Sequence, residues 1–275
     1  MSLFLCPICA VPLTREGQAY RCPNRHSYDV AREGYVHLLP ANQKHSKHPG
    51  DDREMAAART RFLDGGWYAP LRDALCALAA ERLAPGGALL DAGCGEGYYT
   101  QGIFSALQNK AKSFSLAGVD LSKAALKKAA RRVPGAEFAV ASVYRLPVGD
   151  GAVDLLLDCF APLALEEYRR VLRPRGVFLY VVPAPRHLLE LKEILYDRPY
   201  ENPEEAVAYP GFDYLDIVPV TGTMAIRDSQ ALLDLFRMTP YAWKTPRAGV
   251  ERLAALGRLD VTMDFRIHVF ARQSR

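Results

Sequence analysis

Three cysteines and one histidine near the start of this 275-residue chain stand at Cys6-x2-Cys9-x12-Cys22-x3-His26. Three thiolates and an imidazole at that spacing are the ligands of a closed tetrahedral structural zinc site. Four protein ligands leave no open position, so the metal is expected to hold structure rather than to react. Cys6-Pro7-Ile8-Cys9 suits a knuckle turn whose backbone N–H groups can face the sulfurs. Cys22-Pro23-Asn24-Arg25-His26 repeats the Cys-Pro start and substitutes His one residue later. A module this short cannot enclose a sufficient apolar core, and metal binding would supply the missing folding energy. Cys76, Cys94 and Cys159 are scattered, so the pattern favours metal in a reducing compartment over disulfides.

A second constellation is Asp91-Ala92-Gly93-Cys94-Gly95-Glu96-Gly97, between an apolar run and a helical pattern. Glycines at 93, 95 and 97 let the backbone turn tightly and approach a bulky ligand without Cβ collisions. Nicotinamide and flavin enzymes use related turns, but here the third glycine of the pyrophosphate fingerprint is missing. The carboxylate of Asp91, two residues before Gly93, would repel a pyrophosphate and attract the ammonium and sulfonium of S-adenosylmethionine. Asp120 ends the next apolar run, where a carboxylate can accept hydrogen bonds from both ribose hydroxyls. Ser142, just past the third run, can offer a hydroxyl towards an adenine.

The elements that must position these groups alternate. Helices are expected at Glu54–Asp64, Pro70–Leu83, Tyr99–Leu107, Lys123–Arg132 (capped by Ser122 and stopped by Pro134), Leu163–Leu172, Leu188–Leu195 and Ser229–Phe236. Strands are expected at Ala88–Ala92, Ser115–Asp120, Glu137–Ala141, Val153–Cys159 and Val177–Val182, the last after an Arg173–Gly176 turn. A longer pair, Val218–Ile226 and Val261–Ala271, is expected to close the sheet antiparallel. Five short strands alternating with helices indicate an α/β, doubly wound, mostly parallel sheet.

Three regions separate by texture: residues 1–39 around the cysteines, a polar Pro/Gly/His/Lys linker over 40–52, and one large domain over 53–275. Residues 1–61 carry nine Lys/Arg against six Asp/Glu, while the remainder is nearly balanced at 26 against 25. A polyanion would therefore meet the N-terminal end first, although ordinary solvated surface explains so mild a bias equally well. No stretch approaches the roughly 18 uncharged apolar residues of a membrane span. No signal peptide is legible at the start, so no membrane is expected and the cytoplasm is the expected compartment.

The string His26-Ser27-Tyr28-Asp29-Val30-Ala31-Arg32-Glu33-Gly34-Tyr35-Val36-His37-Leu38-Leu39 resembles that of the 23S rRNA guanine-N1 methyltransferases, the RlmA family. Further similarities follow in order at Gly50-Asp51, Ala58-Arg59, Phe62-Leu63, Gly66-Trp67-Tyr68-Ala69-Pro70-Leu71, the Asp91–Gly97 block with Tyr98-Tyr99-Thr100, Phe160-Ala161-Pro162, Pro185-Arg186-His187-Leu188 and Met238-Thr239-Pro240. Asp91–Gly97 looks like motif I of class I S-adenosylmethionine-dependent methyltransferases, and Asp120 like their ribose acid. The resemblance implies a Rossmann-like, mostly parallel seven-stranded sheet behind a small zinc-binding domain. It implies N1-methylation of a guanine in a 23S rRNA hairpin loop near the peptide exit tunnel, on free rRNA or a large-subunit assembly particle, and allows a homodimer. It also implies cofactor contacts at Tyr68, Gly95, Glu96 and His187. Without it, Tyr68 reads as a packed helix-boundary aromatic and His187 as a helix-start histidine.

Catalytic candidates are few. Asp158 ends the fourth strand at the edge where substrates enter such sheets, but a solvated strand-end acid is the plainer reading. Phe160 could stack on an extruded guanine. Arg15, Arg21, Arg25 and Arg32, with Lys44 and Lys47, are candidates to grip phosphates. Two other classes fit less well: a methyltransferase for a quinone or lipid precursor, and a non-catalytic zinc-ribbon binding protein on a decayed fold.

Overall fold

The computed structural model describes residues 2–40, 53–110, 113–204 and 207–274. The expected linker therefore lies, Pro40 apart, outside the described residues, together with Lys44, Lys47 and Gly50-Asp51. The N-terminal module opens with three short antiparallel strands, β1 (Thr14–Glu16), β2 (Ala19–Arg21) and β3 (Ser27–Asp29). Its last strand, β4 (Tyr35–His37), leaves that sheet and pairs in parallel with a strand of the large one.

After helices α1 (Arg53–Asp64) and α2 (Ala69–Arg82) the chain alternates. In order come β5 (Gly87–Ala92), α3 (Tyr98–Asn109), β6 (Phe114–Asp120), α4 (Lys123–Arg132) and β7 (Glu137–Val140). Then follow β8 (Val153–Cys159), α5 (Leu165–Val171), β9 (Leu172–Pro183), α6 (Leu189–Leu195), β10 (Phe212–Ile226), α7 (Ser229–Arg237), α8 (Arg247–Ala254) and β11 (Leu259–Arg272). The large sheet runs β10-β11-β9-β8-β5-β6-β7-β4. Strands β9 to β4 in that order are parallel, and β11 enters antiparallel between β9 and β10. The seven expected strands are joined by an eighth, β4, because its Val36 is fully buried and needs a sheet face to pack against.

Both faces of the central strands are covered, so they read as unbroken apolar runs. Leu89 packs into the core beneath α2 and α3, while its neighbour Leu90 points to the other face with Tyr168 and Phe4. Helix ends follow their local chemistry. The Ser122 hydroxyl accepts from Ala125 N to cap α4, and Asp228 caps α7 through Gln230 N and Ala231 N. The Arg173–Gly176 turn survives as a bulge inside β9, where Arg175 has a φ of 65° and the register with β8 shifts.

Strand order reverses at β5: β6 and β7 lie on one side, β8 and β9 on the other. In open α/β sheets the crevice at such a reversal, outside the carboxyl ends of the strands, receives the ligand. Asp91, Asp120 and Asp158 stand at or next to the carboxyl ends of β5, β6 and β8.

Candidate metal centre and cofactor crevice

Cys6, Cys9, Cys22 and His26 converge, with all four ligand atoms within 4.8 Å of one another. Nδ1 of His26 lies 3.5, 3.6 and 3.4 Å from the sulfurs of Cys6, Cys9 and Cys22, and the Cys9 and Cys22 sulfurs are 3.8 Å apart. With zinc–sulfur bonds of about 2.3 Å and zinc–nitrogen bonds of about 2.0–2.1 Å, tetrahedral edges come to about 3.8 and 3.6 Å. The donors therefore stand at the corners a zinc ion requires. Each knuckle closes on a left-handed residue, Ala10 in the first and Arg25 in the second, with Ala10 N donating to Cys6 O and Arg25 N to Cys22 O. Burial opposes the Cys6 thiolate, but the Tyr28 hydroxyl at 3.1 Å and the N–H groups of Cys9 and Ile8 bring its pKa down to about 6. Arg15, Arg21, Arg25 and Arg32 are all exposed around the module.

The module is seated firmly on the large domain. Tyr20 donates its hydroxyl to Glu137 at 2.7 Å, Leu3 N donates to the other oxygen of Glu137, and Phe4 forms a β-bridge with Val148. Sequence reasoning missed this seam, because Glu137 reads as an ordinary strand-start acid.

In the crevice the three glycines serve different needs. All have positive φ: 82° at Gly93, 53° at Gly95 and 76° at Gly97. A Cβ on Gly93 would stand 2.4 Å from Ala161 Cβ, and one on Gly97 3.0 Å from Ala129 of α4. A Cβ on Gly95 would meet nothing within 4 Å, so here the bare backbone borders open space. Gly95 N donates to Asp120 Oδ2 at 3.0 Å, and Ser122 N to Oδ1 at 2.7 Å. Ser142 sits at the turn after β7, its hydroxyl accepting from Tyr144 N.

Asp91 is buried, and Thr100, not a cation, donates to it at 2.5 Å. Desolvation pushes its pKa up to about 7, the Thr100 bond opposes the rise, and Asp158 and Asp120 add to it. Such a carboxylate gains most from a ligand that brings its own positive charge. Open space at Gly95 beside a buried acid, with a second strand-end acid at Asp120 where the strand order reverses, fits S-adenosylmethionine.

Glu96 lies within the glycine turn. Its carboxylate pairs with Lys128 at 2.5 Å and accepts from Thr60, tying the glycine turn to α1 and α4. Tyr68 and His187 do meet, at 3.3 Å between Oη and Nε2, on the side of the crevice opposite Asp120. Asp264 N donates to His187 Nδ1, so the ring proton sits on Nε2. Burial first, then the charge of Lys192, lowers the His187 pKa to about 3. The imidazole is neutral and adds no positive charge to the crevice. Its turn is stitched to β11 by Ala184 N to Asp264 O and Leu188 N to Thr262 O.

Asp158 corrects the plainer expectation of a solvated acid. It is fully buried, accepting from Tyr168 Oη at 2.8 Å and Ala161 N at 3.0 Å, with burial raising its pKa to about 7. Both oxygens are engaged in holding the loop that carries Phe160. Phe160 is 47% exposed with φ of 66°, a costly conformation for an aromatic residue, and its ring lies 5.3 Å from that of Phe265. Sequence reasoning missed Thr100, which supports Asp91, and Phe265, which lies far along the chain.

Comparison with known proteins agrees with this geometry. Residues 4–47 match the RlmA N-terminal zinc ribbon family, and residues 89–176 match a methyltransferase domain family. The 23S rRNA (guanine(748)-N(1))-methyltransferase of Streptomyces fradiae is 37% identical over 94% of this chain and 92% of its own length. A protein of Bacillus subtilis named as a putative 23S rRNA (guanine-N(1)-)-methyltransferase is 32% identical over 96% of this chain and 95% of its own. One of Micromonospora griseorubida with the same kind of name is 40% identical over 69% and 68%.

Proposed function

We propose that this chain, which belongs to the 23S rRNA (guanine-N1)-methyltransferase family, transfers the methyl group of S-adenosylmethionine to N1 of a guanine in 23S rRNA. The observation that carries the reading is the buried, cation-seeking Asp91 beside the open backbone at Gly95, in a chain that aligns over 94% of its length with such an enzyme.

Asp91 and Asp120 hold the two ends of the cofactor, one by charge and one through ribose hydroxyls. Tyr68, its oxygen served by His187 Nε2–H, closes over the methionine end. Glu96 acts through the glycine turn rather than on the ligand. When bound, the cofactor supplies an electrophilic methyl carbon, and the protein's task is to bring N1 into line behind it. Phe160 stands at the mouth to stack on a guanine taken out of its hairpin, and Asp158 fixes that loop. The zinc module, residues 1–39, presents Arg15, Arg21, Arg25 and Arg32 to phosphates, while residues 53–275 carry the chemistry. The substrate is 23S rRNA, free or in an assembling large-subunit particle in the cytoplasm. A homodimer would enlarge the RNA-gripping area of so small a module. Methylation of a quinone or lipid precursor would leave that docked module and its arginines without a task.

Mapping N1-methylguanine in 23S rRNA from cells with and without the gene tests the reading. The modification should disappear from one loop guanine on deletion and return on complementation. Unchanged rRNA, together with methyl transfer to a small-molecule extract, would overturn it.

A further inference from the structure

Among the described residues, the wall of the crevice holds a buried polar atom that the fold barely uses. Tyr99 Oη is buried with no hydrogen-bond partner among the described residues beyond the neighbouring Cys159 thiol, although its ring reaches the surface between Tyr98 and Phe160. That thiol, at the carboxyl end of β8, is a weak partner that leaves most of the hydroxyl's bonding capacity unmet. An unmet buried hydroxyl is costly, and natural folds keep one where a ligand completes it.

Its surroundings narrow what that ligand atom is. Tyr99 faces Phe160, which in turn packs against Phe265, and Tyr68 stands close by. The walls are aromatic planes and the available donors are neutral phenols, kept protonated by burial. A free carboxylate would call for a cation; a planar lactam needs only flat walls and an O–H directed at its carbonyl. The cluster lies on the β8 and β11 side of Asp91, across from the ribose acid Asp120 on β6, so it borders the end of the crevice from which a methyl acceptor enters.

We propose that Tyr99 is a catalytic residue that donates its phenolic hydrogen to O6 of the target guanine. This rests on the reading of the enzyme as a guanine-N1 methyltransferase. In the reaction the N1 proton leaves to water, the N1–carbon bond forms as the carbon–sulfur bond breaks, and the electron pair of that bond stays on sulfur. Loss of the N1 proton moves negative charge onto O6. A donor already aimed there strengthens as that charge grows, and so favours the transition state over the ground state. It also gives the site a way to acidify N1 without a general base.

The test is Tyr99→Phe in the full-length, zinc-loaded protein, which keeps the ring and removes only the hydroxyl. Its melting temperature should stay within about 2 °C of the wild type, since only a weak contact with the Cys159 thiol is lost. Tritium transfer from S-adenosylmethionine to 23S rRNA purified from cells lacking the gene should fall about 10- to 100-fold in kcat at pH 7. Cofactor affinity by calorimetry should stay within about twofold. The deficit should shrink at pH 9, where guanine N1 gives up its proton more readily unaided. Unchanged kcat, a cofactor affinity that falls in step with kcat, or a deficit equal at both pH values would each overturn the role. A wild-type protein silent on both purified 23S rRNA and large-subunit particles from the same cells would sink the underlying reading and this role together; an active wild type with an equally active variant sinks the role alone.

Discussion

All four ligands of the metal centre come from the segment between Cys6 and His26, and two knuckle turns bring them together. The crevice draws Asp91 from β5, Asp120 from β6, Asp158 and Cys159 from β8, and Phe265 from β11, with Tyr68 before α2 and His187 before α6. Both sites are built to take a cation. The first neutralises it with thiolates lying close together along the chain. The second buries a carboxylate that, among the described residues, meets the Thr100 hydroxyl rather than a cation, which requires a finished sheet. A local site can be complete while the rest of the chain is unfolded, whereas a dispersed site exists only after folding.

The largest effect should come from a metal ligand. Cys22→Ser should abolish stoichiometric zinc binding and lower the melting temperature by about 10–20 °C, the equivalent of several kcal/mol. Transfer to rRNA should vanish, while cofactor affinity, resting on other elements, should stay within about tenfold. A larger loss of cofactor affinity would show that the seam through Glu137 and β4 carries the state of the metal into the crevice, and would break the contrast between the sites.

Asp91→Asn should do the reverse. Zinc content, read by elemental analysis, should be unaffected, and cofactor affinity should fall about 100-fold, or about 2.7 kcal/mol. The apoprotein should become more stable. The carboxyl's folded pKa of about 7 stands above its ordinary 3.8, so the folded state holds the proton more tightly than the unfolded chain. Stability is therefore lost as pH rises from about 4 to about 7, and the amide avoids that loss. A gain of about 2–4 kcal/mol in denaturant unfolding above pH 7 is expected.

The same group sets a pH dependence. Below about pH 7 Asp91 takes up a proton and loses its attraction for the ligand, so cofactor affinity should fall by up to about tenfold per pH unit towards pH 6. Calorimetry between pH 6 and 8 measures it, and a flat profile would remove Asp91 as the titrating contact. The smallest effect should be Arg25→Ala: RNA affinity should fall a few-fold irrespective of sequence, and the salt slope should flatten by about one. Filter binding across salt concentrations checks this, and an unchanged slope would exclude Arg25 from the phosphate contacts.

The legibility of each site follows the same division. The zinc ligands and the Asp91–Gly97 turn could be read directly, because their geometry is set by spacing within a few residues. Tyr68 and His187 were reachable only through resemblance, since 119 residues separate the two atoms that meet. The Asp158 environment was misjudged because a strand-end acid looks alike whether it faces water or Tyr168. Strand β4 escaped notice because three residues carry too short a pattern, and its partner β7 lies 100 residues further on.

The amino-acid sequence by itself determined the metal chemistry, the parallel α/β alternation and the acid-and-glycine turn that favours a cationic nucleoside. These depend on ligand type, on periodicity and on the steric freedom of glycine, all of which act over short stretches of chain. Only the tertiary structure decided that Asp91 is stripped of water, that His187 is neutral with its proton on Nε2, that Glu96 pairs with Lys128, and that the Tyr99 hydroxyl is buried beside no better described partner than a thiol. Desolvation and hydrogen-bond partnership depend on which distant segments pack around a group, and no local pattern of residues records that.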